Sequence, residues 1–228
     1  MFSRSRRPIQ KPVVLFLGTA LLTLAQGEVS VAGDARWVKT TPDAVELGQA
    51  SFGVCMGCHG IGGVGRIGVG PRIASETYLQ AASDDFLVRT IKEGRSGTTM
   101  VPWGAAFNDA QIEALVAYLR SLSPGAPAVL DESKLVGDPA NGEVIFRNIC
   151  SGCHGRSGAG YQETANGTGI GRKAFLDSAS NGFIRFIVGQ GKSQTKMRGF
   201  AADNITAVAN LTPREIDDTI AYLRANAW

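Results

Sequence analysis

Cys55-Met56-Gly57-Cys58-His59 decides how this chain is read, and Cys150-Ser151-Gly152-Cys153-His154 repeats it 95 positions later. C-x-x-C-H is the attachment signature of a c-type haem. Two thiols one helical turn apart can each add to one vinyl group of the same porphyrin. The histidine that follows then projects its imidazole under the iron. Two copies imply two covalently held haem c groups, on Cys55 and Cys58 and on Cys150 and Cys153. A zinc site would leave the histidine after each second cysteine as coincidence. A thioredoxin-type redox pair needs a βαβ context, which this sequence lacks. All four cysteines sit in the two motifs, so no disulfide is expected.

Working outward, the N-terminus reads as an export signal. Arg4, Arg6, Arg7 and Lys11 form a basic region, Val13 to Leu24 is mostly apolar, and Ser30-Val31-Ala32 has the small-residue form of a cleavage site. Residues 1–32 are therefore expected to be a signal peptide, and the mature protein periplasmic. An uncleaved anchor is the alternative, although the apolar run is short for a span of about 20 residues. Arg6-Arg7 also allows twin-arginine export. Residues 1–32 hold four Lys/Arg and one Glu. Removing them from the 23 Lys/Arg and 20 Asp/Glu of the chain leaves 19 of each. The basic pI of the full chain is then largely the signal's, and gives no argument for nucleic-acid or anionic-membrane binding.

Residues 33–41 read as a polar leader, 42–122 as a first domain, 123–138 as a linker with two prolines and four charges, and 139–228 as a second domain. In the first domain a helix from Pro42 is expected to end at Cys55. Ser83 caps a helix that Gly94 stops, and Asn108 with Gln111 forms a capping box for a third. The second domain repeats the plan, with Thr212 and Glu215 as its capping box. Phe86 and Phe183, Gly94 and Gly191, and Met100 and Met197 all share an offset of 97. Ala117-Tyr118-Leu119-Arg120 recurs as Ala221-Tyr222-Leu223-Arg224. Two repeats indicate duplication of one domain.

The chain has two histidines, His59 and His154, both inside the motifs, so bis-histidine ligation within one chain is excluded. Of four methionines, Met1 leaves with the signal and Met56 lies inside the attachment loop. Met100 and Met197 remain, one per domain, as sixth ligands or as core filling. Lys192, Lys196 and Arg198 crowd the loop around Met197. They read either as a solvated loop or as a docking face for an acidic redox partner.

Each half resembles a small class I cytochrome c domain: haem motif near the start, methionine in a late loop, final helix with Ala-Tyr-Leu-Arg. The tandem is similar to dihaem cytochromes of the cytochrome c4 type and to dihaem subunits of dehydrogenase complexes. That resemblance implies an all-α fold of two tandem domains, each a small helical fold around one covalent haem, with His59/Met100 and His154/Met197 as iron ligands. It also implies that the carbonyl of Pro71 accepts a hydrogen bond from the His59 ring. Arg72 and Trp103 are placed to donate to haem carboxylates or simply to pack. In the second half the alignment sets Arg172 where Pro71 stands, after a loop six residues longer. Met197-Arg198-Gly199-Phe200 also lacks the proline of Met100-Val101-Pro102-Trp103. The first half places Gly48, Phe52 and Cys55 one residue short of the family spacing. The expected function is electron transfer from a donor dehydrogenase or quinol-oxidising complex to a terminal acceptor. The alternatives are a dihaem enzyme of peroxidase or thiosulfate dehydrogenase type, and a cytochrome subunit that tethers a catalytic partner.

Overall fold

Glycine decides how the helices meet. In a computed structural model that describes residues 29–31, 36–205, 207 and 209–228, helix α1 (Pro42–Ser51) crosses α5 (Asp109–Leu122) at Gly48. A Cβ there would overlap the Ala114 carbonyl oxygen and press on Tyr118. The second half repeats the crossing: α6 (Pro139–Ile145) meets α10 (Pro213–Ala225) at Gly142, against the Asp218 carbonyl and Tyr222. Phe52 packs on Tyr118 with ring centroids 5.2 Å apart, and Phe146 on Tyr222 at 5.4 Å.

The other helices also pair off between halves. Short helices α2 (Met56–His59) and α7 (Ser151–His154) carry the C-x-x-C-H histidines. α3 (Glu76–Ala81) corresponds to α8 (Lys173–Leu176), and α4 (Asp84–Glu93) to α9 (Asn181–Gln190). Ser83 caps α4 by accepting from the Phe86 amide at 3.0 Å, Gly94 ends it at φ +68°, and both expected capping boxes are formed. The helix expected to run from Pro42 to Cys55 stops earlier. A 3₁₀ turn, Phe52–Val54, follows α1, whereas the second half uses a π turn, Phe146–Cys150. The tighter turn in one half and the wider turn in the other absorb the one-residue difference in spacing.

Among the described residues the fold is all-α apart from one small ribbon and three isolated bridges. Strand β1 (Val29–Val31) pairs antiparallel with β2 (Val129–Asp131). β2 lies in the segment expected as a linker, and that segment is docked. The Ala128 amide donates to the Gln80 carbonyl at 3.0 Å. Glu132 accepts from the Gly182 amide at the start of α9, and Arg185 donates to the carbonyls of Asp131 and Ser133. The expected signal peptide and its cleavage site lie outside the described residues, save for the backbone of 29–31, as do residues 33–35 of the expected leader. Among the described residues no helix is long and apolar enough to cross a membrane.

Equivalent residues face each other where the halves meet. The Phe86 and Phe183 rings lie 4.9 Å apart. Arg95 of the first half sits 5.9 Å from the Phe175 ring of the second, and Lys192 of the second sits 4.4 Å from the Tyr78 ring of the first. Arg95 and Lys192, and Tyr78 and Phe175, share the offset of 97. The two halves therefore meet in an approximately two-fold arrangement.

Candidate haem sites

The backbone of α2 turns His59 inward, and its ring is buried. Nδ1 donates to the Pro71 carbonyl at 2.9 Å. That bond fixes the tautomer and leaves Nε2 as a free electron pair, which a metal ligand needs. Gly70 makes the approach: a Cβ there would crowd the Cys58 carbonyl.

In the second half the His154 Nδ1 donates to the Thr168 carbonyl at 2.8 Å. Gly167 precedes it and would crowd the Cys153 carbonyl, as Gly70 does Cys58. Thr168 therefore occupies the place of Pro71. The alignment that set Arg172 there is corrected: the loop is longer by two residues, with 14 separating histidine from acceptor where the first half has 12. The acceptor is a main-chain oxygen, so proline is dispensable. Burial, first among the causes, holds both imidazoles below their ordinary pKa, with a smaller push from Lys192 in the same direction. Both are therefore neutral near pH 7. Burial, then the neighbouring thiol, raises Cys55 and Cys150 to about 11.

The two methionine loops share one geometry. The Arg95 amide donates to the Met100 carbonyl at 2.8 Å, and the Lys192 amide to the Met197 carbonyl at 2.8 Å. Thr98 Oγ1 accepts from the Met100 amide at 3.1 Å, and Thr195 Oγ1 from the Met197 amide at 3.1 Å. The missing proline after Met197 leaves this turn unchanged. Its shape is set by the threonine and by Gly94 or Gly191 at φ +68° and +78°.

A cavity of about 590 Å³ opens over the first motif. Cys55, Cys58 and His59, Met100 and Trp103, and the apolar Phe86, Leu87 and Ile91 all line it. Trp103 stacks on Phe107 at 5.6 Å. Arg72 donates to Gln194 across the seam between the halves, and its Nε is buried without a partner. Arg172, which does line the cavity, likewise has its Nε buried without a partner. An apolar cavity with two thiols, one imidazole with a free Nε2, a thioether and the orphaned Arg172 nitrogen fits a porphyrin that carries acidic edge groups.

Residues 44–119 match the family described as Cytochrome C oxidase, cbb3-type, subunit III, and residues 139–227 match Cytochrome c. The chain is a tandem of two cytochrome c domains. It is a dihaem class I cytochrome with two covalent haem c groups. The chain is 31% identical over 138 residues to a cbb3-type cytochrome c oxidase subunit FixP from Azorhizobium caulinodans, covering 55% of this chain and 45% of that one. It is 28% identical over 131 residues to a cytochrome c4 from Thiocapsa roseopersicina, covering 53% of this chain and 63% of that one. The cytochrome chain thus spans about half to two thirds of those relatives' lengths. Among solved structures, the reducing HAO-like protein complex of Kuenenia stuttgartiensis has the same fold. It shows a TM-score of 0.52 and 17% identity, over 84% of this chain and all of that one.

The structure turns Lys192 inward, which corrects its place on the expected docking face. Its side chain lies at the seam over Tyr78, and burial, with Arg72 as a lesser cause, lowers it to about 8. Lys196 and Arg198 remain exposed. Sequence reasoning missed Thr168 and Arg95, and placed Arg172 at the position of Pro71 instead of at the cavity wall. The offset of Arg95 from Lys192 was the available signal for the first of these cations.

Proposed function

We propose that this dihaem cytochrome carries electrons and performs no chemistry on a substrate at iron. Cys55 and Cys58 hold one haem and Cys150 and Cys153 the other. His59 and Met100, and His154 and Met197, supply the axial ligands. A haem c held this way offers one-electron chemistry at a raised potential, because the soft, neutral thioether favours ferrous iron. The protein orients each imidazole through the Pro71 or Thr168 carbonyl and excludes water with apolar walls.

The observation that carries the reading is the shared geometry of the two methionine loops. The second half, irregular in sequence, folds its loop around Met197 as the first does around Met100, which supports the same closed ligation in both. Relatives named as cbb3-type oxidase subunits and as cytochrome c4 agree with a carrier. The donor is then a dehydrogenase or quinol-oxidising complex in the periplasm, and the acceptor a terminal oxidase or reductase. Exposed Lys196 and Arg198 face an acidic partner, which would speed encounter at low ionic strength.

The oxidised protein is expected to show the weak band near 695 nm that Met ligation gives in this family, at an intensity for two haems. Met100→Ala and Met197→Ala should each remove half of it. Ready binding of carbon monoxide at either haem of the unsubstituted protein would overturn the carrier reading in favour of a dihaem enzyme.

A further inference from the structure

Four cations converge on the seam between the halves: Arg72 and Arg95 from the first, Arg172 and Lys192 from the second. None forms an ion pair among the described residues. The cavity over the first motif is lined by Arg95, Arg172 and Lys192 and by no Asp or Glu. So much unneutralised charge beside apolar walls is costly unless an anion faces it.

Arg95 has a local explanation. Its guanidinium donates to the Ala174 carbonyl, Ser178 and Thr90, and lies 5.0 Å from the Phe86 ring. The two second-half cations do not. Arg172 is 7% exposed, and its Nε is buried with no partner. It is held in place from both sides. The Trp228 ring lies 4.1 Å beneath it, and Gln162, which accepts from it, also donates to the Gly97 carbonyl of the Met100 loop at 2.9 Å. Gly97 itself, at φ +75°, leaves room for Arg172: a Cβ there would overlap its Nη1. The Lys192 ammonium meets the Tyr78 ring and no carboxylate.

We propose that Arg172 and Lys192 of the second half complete the carboxylate-binding end of the first half's haem cavity, so that the first haem is seated by both halves and its potential is set partly by the second. This rests on the reading that a haem fills that cavity. Both residues lie at its wall and both present cationic N–H groups that the protein leaves unused. Haem carboxylates are the anions that such a cavity would bring with its cofactor. The second half thus tunes the first without touching its iron ligands. A cation near the haem favours the less positive, reduced iron, so loss of one lowers the potential.

Lys192→Gln, Arg172→Gln and the double variant are tested by potentiometric titration of the purified dihaem protein. Met100→His, which displaces the first haem's potential, assigns the two waves. Each single variant is expected to lower the reduced-to-oxidised ratio of the first haem at fixed potential about threefold. The double variant should lower it about tenfold, equivalent to about 59 mV for one electron. The second haem should move much less. Lys192→Arg should restore the parent value, and Lys173→Gln, an exposed charge on α8, should leave it. The infrared redox-difference bands of the haem carboxylates should shift in Lys192→Gln. If the double variant does not accumulate, the two single variants decide by the same threefold criterion. A first-haem potential unmoved by the substitutions, or a second haem that moves as far as the first, overturns the proposal. Retention of the full 695 nm band in that event would leave the carrier reading intact.

Discussion

Replacing Asp84 with Ala should nearly unfold the first domain, whereas the equivalent change at Asn181 should be mild. Arg120 and Arg224 hold corresponding places at the ends of α5 and α10. Each donates to two carbonyls of the preceding short helix and its exit: Arg120 to Leu79 and Ala82, Arg224 to Leu176 and Ala179. Their third partners differ. Arg120, buried, meets the carboxylate of Asp84 at 2.7 Å, and Asp84 is 1% exposed. Arg224, half-buried, meets the amide of Asn181 at 2.7 Å. Asp84 also accepts from the Val38 amide at 2.7 Å. It offsets a second cation as well: burial and Arg120 depress Arg36, and Asp84 opposes them. Removing the carboxylate strands a buried charge and an amide, which costs about 3–5 kcal/mol. Removing Asn181 deletes one hydrogen bond to a guanidinium that water can reach, about 1–1.5 kcal/mol. Asp84→Asn should fall between, at about 2 kcal/mol, because it recreates the amide without the shallower setting. Urea unfolding followed at 222 nm, fitted as two sequential halves, measures all three. Costs for Asp84→Ala and Asn181→Ala within 1 kcal/mol of each other would refute the reasoning, since the buried charge pair and the Val38 amide have no counterpart at Asn181. Phe86, Leu87, Thr90 and Ile91 of α4 also wall the haem cavity, so Asp84→Ala should broaden the first haem's 695 nm band at temperatures where Asn181→Ala does not.

Gly48→Ala should cost about 3 kcal/mol or more, because the new methyl meets backbone of α5 that cannot yield; Gly53→Ala, with nothing within 4 Å, should cost under about 1 kcal/mol in the same unfolding assay. Thr168→Ala should leave the second haem's potential at the parent value in a potentiometric titration, since His154 uses the main-chain oxygen. Replacing all four cysteines by Ala should leave the first cavity unfilled and give a broad, non-cooperative melt by circular dichroism; a sharp native-like melt would contradict this. The Thr212 amide and hydroxyl hold Glu215 below the usual carboxylate range. Its stabilising effect on the first turn of α10 is therefore present above the unfolded pKa and lost as pH falls through the lower folded value. Amide exchange in that turn should accelerate relative to the rest of α10 on going from pH 6 to pH 3.

The parts of this protein that were legible in the sequence are those whose chemistry is local. Ser83, Asn108 and Thr212 each signal a helix start within three residues, because a cap and its amide are neighbours in the chain. The motif histidines and the offset of 97 needed no tertiary information either. What escaped is set by groups that carry no side-chain signature or whose partners lie far away. Thr168 acts through its carbonyl, so any residue serves, and three glycines at 167, 169 and 171 offered competing alignments. The hydrogen bond from His154 to the Thr168 carbonyl and the close approach of Gly167 to Cys153 select the register. The segment 123–138 looked like a linker because its partners are distant: Glu132 serves the start of α9 and Arg185 holds its backbone. The spacing from Gly48 to Cys55 looked like a departure, yet a change of turn type costs one residue and keeps the glycine, the aromatic ring and the cysteine in place.

The same logic explains why Lys192 misled. In one domain a lysine beside the methionine loop belongs to the surface, and counting charge along the chain puts it there. Duplication places a second copy of the loop against the first, so Arg95 and Lys192, equivalent residues of the two halves, each reach across to the other half. Arg172 has no counterpart at the offset of 97, where Ser75 stands, so the seam is not symmetric in charge. The first cavity receives two cations from its neighbour, while Arg95 is spent on Ala174 and Ser178 of the second half. Two domains of one ancestry can therefore hold their cofactors at different potentials without any change in the ligands of either iron.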